Sequence, residues 1–137
     1  MNEKKFLAEL KFLHPMLLWV HDCVTTIHFS KKELLELELC LEEIFMNLAK
    51  HATKEESLEI TMQIQICSNK VQITFIDQGK PFNPLKDSIN PDIEKGEGVG
   101  LVLIRKICKN MTYLRKDNKN HLILIYEKPN RCSCSSC

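Results

Sequence analysis

Three short segments hold the residues whose types and spacing can do chemistry: Glu43-Ile44-Phe45-Met46-Asn47, Asp77-Gln78-Gly79-Lys80-Pro81-Phe82, and Gly96-Glu97-Gly98-Val99-Gly100-Leu101. On a helix Glu43 and Asn47 project from one side. A carboxylate there accepts a proton from water or a hydroxyl. A neighbouring amide oxygen can ligate Mg²⁺, which takes few protein oxygens alongside phosphates and waters. Asp77 keeps the parity of Val71, Ile73 and Phe75, so its side chain faces the buried side at a strand end and needs a donor. The exocyclic amine of adenine is one such donor, and a structural partner or a turn cap is another. Gly79 lets the chain turn with positive φ, and Pro81 stiffens the exit. Gly96, Gly98 and Gly100 precede a helix, where close backbone approach and free N–H groups suit phosphate oxygens, although a hinge would use the same glycines.

These residues need elements to hold them. Ser30 followed by Glu33 matches a capping box, and a long helix to about Ala52 follows. Leu34, Leu37, Leu41, Ile44 and Leu48 recur on it as one buried stripe. Glu43 and Asn47 stand roughly 100° round from the centre of that stripe, at the rim where a cleft between helix and sheet would open. Lys50 and His51 lie on the cleft side of the helix end, where they can touch phosphate or ribose or simply be solvated. Leu58, Ile60, Met62, Ile64 and Ile66 alternate with polar residues, Ser68-Asn69-Lys70 reads as a turn, and Val71, Ile73 and Phe75 alternate again.

Earlier in the chain, segment 4–12 reads as a first strand, and Pro15 suits the first turn of a helix running to about Ile27. From Lys80 to Lys95, Pro81, Pro84 and Pro91 forbid a continuous regular element, which predicts a lid at about residues 80–97. The apolar spacing from Val99 to Met111 is helical. Two strands, roughly Thr112 to Arg115 and His121 to Glu127, close the chain around the turn-like Asp117-Asn118-Lys119-Asn120. This order predicts an α+β two-layer sandwich, with an antiparallel-rich mixed sheet and helices on one face, over residues 1–128.

At 137 residues the chain has the length of one ordinary domain, and its formal net charge of +1 gives no electrostatic reason to propose nucleic acid. No apolar stretch approaches the roughly 18 residues of a membrane span, and no signal peptide is visible, so the expected location is the cytoplasm. Of 7 cysteines, Cys23, Cys40, Cys67 and Cys108 fall in apolar runs, which favours a reducing compartment. Cys132, Cys134 and Cys137 lie in a short tail, 129–137, without an evident fourth metal ligand. His14, His21 and His28 read as surface or core-edge histidines. A P-loop is excluded because there is no G-x-x-x-x-G-K-[ST]. A Rossmann turn is excluded because the glycines read G-x-G-x-G after a polar loop.

Taken together, E-E-I-F-M-N-L-A-K-H-A, D-Q-G-K-P-F-N-P and G-E-G-V-G-L-V-L-I-R resemble the ATP site of the gyrase, heat-shock chaperone, histidine kinase and mismatch-repair ATPase superfamily (the Bergerat fold). The resemblance is to its short stand-alone form, the anti-sigma factor serine kinases of the RsbW and SpoIIAB type, and covers about residues 5–128. It implies that Glu43 is the catalytic base, that Asn47 holds Mg²⁺, and that Asp77 binds adenine with Gly79 and Phe82 beside it. Gly96, Gly98, Gly100 and Leu101 would meet the phosphates. Members of the family usually carry a threonine on the last strand that assists the adenine-binding acid through water, and the nearest position here is Ile123.

The implied function is an ATP- and Mg²⁺-dependent protein serine/threonine kinase that phosphorylates an antagonist protein and sequesters a sigma factor. The alternative is a nucleotide-gated anti-sigma binding module, or an ATPase without kinase activity. A histidine kinase fragment would need a helical dimerisation segment for which there is no room. Homodimers are typical of the resembling kinases, but the sequence displays no interface.

Overall fold

The computed structural model describes residues 1–52, 57–85, 99–108 and 110–128. The chain runs β1 (Asn2–Leu7), α1 (Leu13–Cys23), α2 (Lys31–His51), β2 (Glu59–Cys67), β3 (Lys70–Asp77), α3 (Val99–Ile107), β4 (Asn110–Lys116) and β5 (Lys119–Glu127). Short 3-10 turns at Leu10–Phe12 and Thr25–Ile27 flank α1. The five strands lie in the order β1-β2-β3-β5-β4, and each neighbouring pair is antiparallel.

The long helix starts where the capping box places it. Ser30 Oγ accepts from the Glu33 backbone N–H at 3.1 Å, while Glu33 Oε1 accepts from the Ser30 N–H at 2.8 Å. Two backbone donors that the first helical turn leaves without carbonyl partners are thereby satisfied. Leu37, Leu41, Ile44 and Leu48 are buried as the stripe requires, Leu34 is half-buried, and Cys40 and Phe45 widen the stripe. Against it β2 presents Ile60, Met62 and Ile64, and β3 presents Val71, Ile73 and Phe75. The register Met62↔Phe75 and Ile64↔Ile73 puts these on one face. Met16 and Val20 of α1, Ile104 of α3, and Leu122 and Leu124 of β5 complete one core. Burying each such side chain contributes about 1.5–3 kcal/mol before chain entropy is counted, so the stripe rather than helix propensity holds α2 in place.

Several boundaries differ from the sequence expectation: α1 ends at Cys23 and not about Ile27, where a 3-10 turn follows it, and β4 runs Asn110–Lys116, longer than Thr112 to Arg115. The first strand stops at Leu7 instead of running to residue 12, because its partner β2 begins at Glu59, opposite Leu7. α3 ends at Ile107, although Met111 continues its apolar spacing. The Cys108 N–H closes the last turn on the Ile104 carbonyl, and Met111 instead pairs with Leu124 in the sheet. The final turn shrinks to Asp117 and Asn118, which take φ of 54° and 59°, the left-handed pair that a two-residue hairpin demands. Lys119 and Asn120 therefore belong to β5. The lid expected at 80–97 lies outside the described residues beyond Leu85, as does the 129–137 tail with Cys132, Cys134 and Cys137.

His14 and His21 on α1 are exposed, as is His28, which turns the chain at φ 59° before α2. Among the described residues no helix is long and apolar enough to cross a membrane.

Candidate functional site

Asp77 ends β3 on the core side of the sheet and is 4% exposed. Its register partners are Ile60 on β2 and Asn120 on β5. Asp77 Oδ1 accepts two hydrogen bonds, from the Gly79 N–H at 2.9 Å and from Asn120 Nδ2 at 2.9 Å. No hydrogen bond among the described residues engages Oδ2. A carboxylate has lone pairs on both oxygens, so the second keeps its capacity to accept a further donor.

Gly79 is favoured here for a reason other than the expected one. Its φ lies outside the left-handed region, but a Cβ at this position would come within 3.0 Å of Asp77 Oδ1 and 3.2 Å of Leu58 Cδ1. The close approach lets the Gly79 N–H reach the carboxylate. Asp77 opens onto a cavity of about 510 Å³ lined also by Leu48, His51, Leu58, Gly79 and Phe82. Apolar side chains and a buried acid share this lining with the charged Lys5, Glu59, Lys80 and Lys119, the mixture of apolar wall and a few polar groups general to small-molecule sites.

His51, at the end of α2, stacks on Phe82 with ring centroids 3.8 Å apart and planes 11° apart. Phe82 is fixed in turn by its backbone N–H, which donates to Asn120 Oδ1 at 3.2 Å. The helix end and the turn after β3 thus meet in one aromatic wall. Lys50 is exposed and does not line this cavity.

Glu43 and Asn47 are half-buried on α2 and lie outside the cavity lining. Steps of four residues turn a helix by only about 40°, so Glu43, Asn47 and His51 form one row leading away from the cavity, about 12 Å long at 1.5 Å per residue. Of this row only His51 lines the cavity, and the acid–amide pair lies one to two turns beyond it along the helix. No hydrogen bond among the described residues engages either side chain, and a carboxylate beside an amide oxygen is the hard oxygen donor chemistry that Mg²⁺ accepts.

Gly96 and Gly98 lie outside the described residues. Gly100 and Leu101 are in the first turn of α3, with side chains and surroundings likewise outside them. Ile123, the nearest position to the family's threonine, pairs with Thr74 and lies on the opposite face of the sheet from Asp77. The residue that meets Asp77 is Asn120, whose place after Asp117-Asn118-Lys119 reads as a turn in the sequence and so hides it. Its strand parity was readable: Asn120, Leu122, Leu124 and Tyr126 alternate and are all buried.

Away from the site, burial raises the thiols of Cys40 and Cys108, Cys40 to about 12. Cys108 Sγ donates to the Ile125 carbonyl at 3.0 Å. These thiols act as small core groups, not as nucleophiles. Among the described residues no cluster of His, Cys, Asp and Glu is arranged to hold a metal ion by itself.

The family model described as the histidine kinase-like ATPase domain matches residues 6–126. The chain is 24% identical over 133 residues to the serine-protein kinase RsbW of Bacillus mycoides (strain KBAB4), covering 90% of this chain and 83% of the relative. RsbW of Bacillus cereus (strain B4264) matches with the same identity and coverage. The solved RsbU and RsbW domains of a Mycobacterium tuberculosis protein superpose with a TM-score of 0.61 at 11% identity, over 96% of this chain and 34% of that one. The Acinetobacter baumannii histidine kinase AdeS superposes with a TM-score of 0.54 at 15% identity, over 95% of this chain and 70% of that one. At such identities the structural likenesses speak for the fold alone.

Proposed function

The chain belongs to the histidine kinase-like ATPase domain family, and from that premise we propose that it is an ATP-dependent protein serine/threonine kinase of the anti-sigma factor kind. Its substrates are ATP and a hydroxyl on an antagonist protein, and it sequesters a sigma factor in the cytoplasm. The observation that carries the nucleotide part is Asp77: a buried carboxylate lining a cavity, with Oδ1 accepting two hydrogen bonds and Oδ2 none among the described residues. The kinase part is supported by similarity to relatives named serine-protein kinases over most of both chains.

In this reading Asp77 Oδ2 accepts a hydrogen bond from the amino group of adenine, and the His51–Phe82 wall borders the base. Asn47 would hold Mg²⁺, which supplies charge neutralisation across the phosphates. By the family resemblance Gly96, Gly98, Gly100 and Leu101 would meet the phosphates, and Lys50 would touch phosphate or ribose. Glu43 accepts the proton of the attacking hydroxyl as its oxygen bonds to the γ-phosphorus and the bond to the ADP oxygen breaks. The proton leaves on Glu43, and the products are ADP and a phosphorylated antagonist.

Replacing Glu43 by Gln keeps the shape and removes the base. With Mg-ATP and a cognate antagonist, Glu43→Gln is expected to lower phosphotransfer by 10²-fold or more, the usual scale for a general base, while ADP affinity stays within about twofold. Undiminished transfer by Glu43→Gln would remove Glu43 from the mechanism.

A further inference from the structure

Asn120 is 5% exposed and spends its whole amide on the turn that carries Asp77. Nδ2 donates to Asp77 Oδ1 at 2.9 Å and to the Lys80 carbonyl at 2.8 Å. Oδ1 accepts from the Tyr113 hydroxyl at 2.6 Å, from the Phe82 N–H at 3.2 Å and from the Arg115 guanidinium at 3.2 Å. Two acceptors face the nitrogen and three donors face the oxygen, so only one orientation of the amide fits. Arg115 also donates to the Gly79 carbonyl at 2.7 Å. Residues 77, 79, 80 and 82 are thus each tied to the β4–β5 hairpin. Asp77, Asn120 and Arg115 are successive register partners on three neighbouring strands.

We propose that Asn120, braced by Tyr113 and Arg115, is the positioning residue for the base-binding acid. It occupies one oxygen of Asp77 and fixes the 77–82 turn, so that a single acceptor points at a ligand amino group. The inference rests on the nucleotide reading above and adds a residue to it. Asn120 lines the cavity, but both hydrogens of its Nδ2 and its Oδ1 are engaged by the turn and the hairpin, so in this account it acts through Asp77 and Phe82. A direct side-chain donor from the adjacent strand here does what Ile123, on the other face, cannot.

The orientation of the amide gives a test that a merely structural role would not satisfy. Asn120→Asp has the same shape but turns an obligatory donor into a carboxylate facing the carboxylate of Asp77 and the carbonyl of Lys80. Two such acids in contact hold one proton between them, with that proton's affinity raised. With the proton present the donor to Asp77 is restored; without it the two charges repel. Tyr113 and Arg115 also face this position, and Lys5, His51, Glu59, Lys80 and Lys119 line the same cavity. The wild type, which carries all of these groups, is measured over the same pH range as the control.

Titration of the full chain with Mg-ADP between pH 6 and pH 8 is the experiment, with thermal melts to check folding. Expected are a nearly flat wild-type profile, a Kd raised about tenfold or more in Asn120→Ala, and an Asn120→Asp Kd close to wild type at pH 6 that rises at least tenfold by pH 8. Folded Asn120 variants that bind within twofold of wild type at both ends of the range overturn the proposal. If they do not fold, Tyr113→Phe and Arg115→Met decide it: a several-fold rise in Kd in each supports the brace, and unchanged affinity in both overturns it. A wild type that binds no ADP overturns instead the nucleotide reading on which the proposal rests.

Discussion

Asn120 on β5 and Asp77 on β3 are register partners joined side chain to side chain at 2.9 Å. The sheet itself therefore sets where the acid of the site points. Because β5 lies between β3 and β4, the β4–β5 hairpin comes to support a turn formed nearly 40 residues earlier in sequence.

Gly79 tests the same junction from the other side. A methyl group on it would lie 3.0 Å from Asp77 Oδ1 and 3.2 Å from Leu58 Cδ1, too close to both. Gly79→Ala is expected to fold, with a stability loss of about 1–3 kcal/mol from overpacking, and to weaken Mg-ADP binding at least tenfold as the turn shifts. Urea unfolding and calorimetric titration measure the two effects. Unaltered affinity would show that the close approach does not set the geometry of Asp77.

The capping box on α2 concerns stability and not chemistry. Ser30→Ala removes the acceptor for the Glu33 N–H, and losses of this kind are about 1 kcal/mol. Because Ser30 lies at the opposite end of α2 from His51, urea denaturation should report that loss while nucleotide affinity stays within twofold. A large fall in affinity would mean that the start of α2 is coupled to the site.

Cys40 predicts how stability varies with pH. Burial raises its thiol from an ordinary 9.0 to about 12, so the folded chain keeps the proton over a range where the unfolded chain has lost it. The contribution is fully present below about pH 9 and is lost as pH rises through about 12. Burial and a hydrogen bond to Glu36 raise Tyr126 from its ordinary 10.0 in the same sense. Denaturation midpoints should fall as pH rises above 9, and Cys40→Ala should make that fall shallower. An unchanged slope in Cys40→Ala would remove the thiol as its cause.

The sequence makes the core legible where one period runs unbroken. The α2 stripe and the alternation in β2 and β3 both follow from burying one face, and the parity of Asp77 follows from Phe75. Legibility fails where local chemistry supports two readings. Met111 continues a helical spacing, yet cross-strand pairing with Leu124 takes it into the sheet. Asn120 looks like a turn residue beside Asp117 and Asn118, and only the parity it shares with Leu122 and Leu124 marks it as buried. The His51–Phe82 stack joins elements far apart in sequence, and no local pattern announces it.

The central claim is that Asp77 receives the base of an adenine nucleotide. Calorimetric titration of the full chain with Mg-ADP, repeated on Asp77→Asn, tests it most directly, because the substitution keeps the size of the side chain and replaces one acceptor oxygen by a donor nitrogen. The account predicts saturable one-site binding by the wild type and a loss of at least a hundredfold in Asp77→Asn, with both proteins folded by circular dichroism. No binding by the folded wild type, or equal binding by Asp77→Asn, would contradict it.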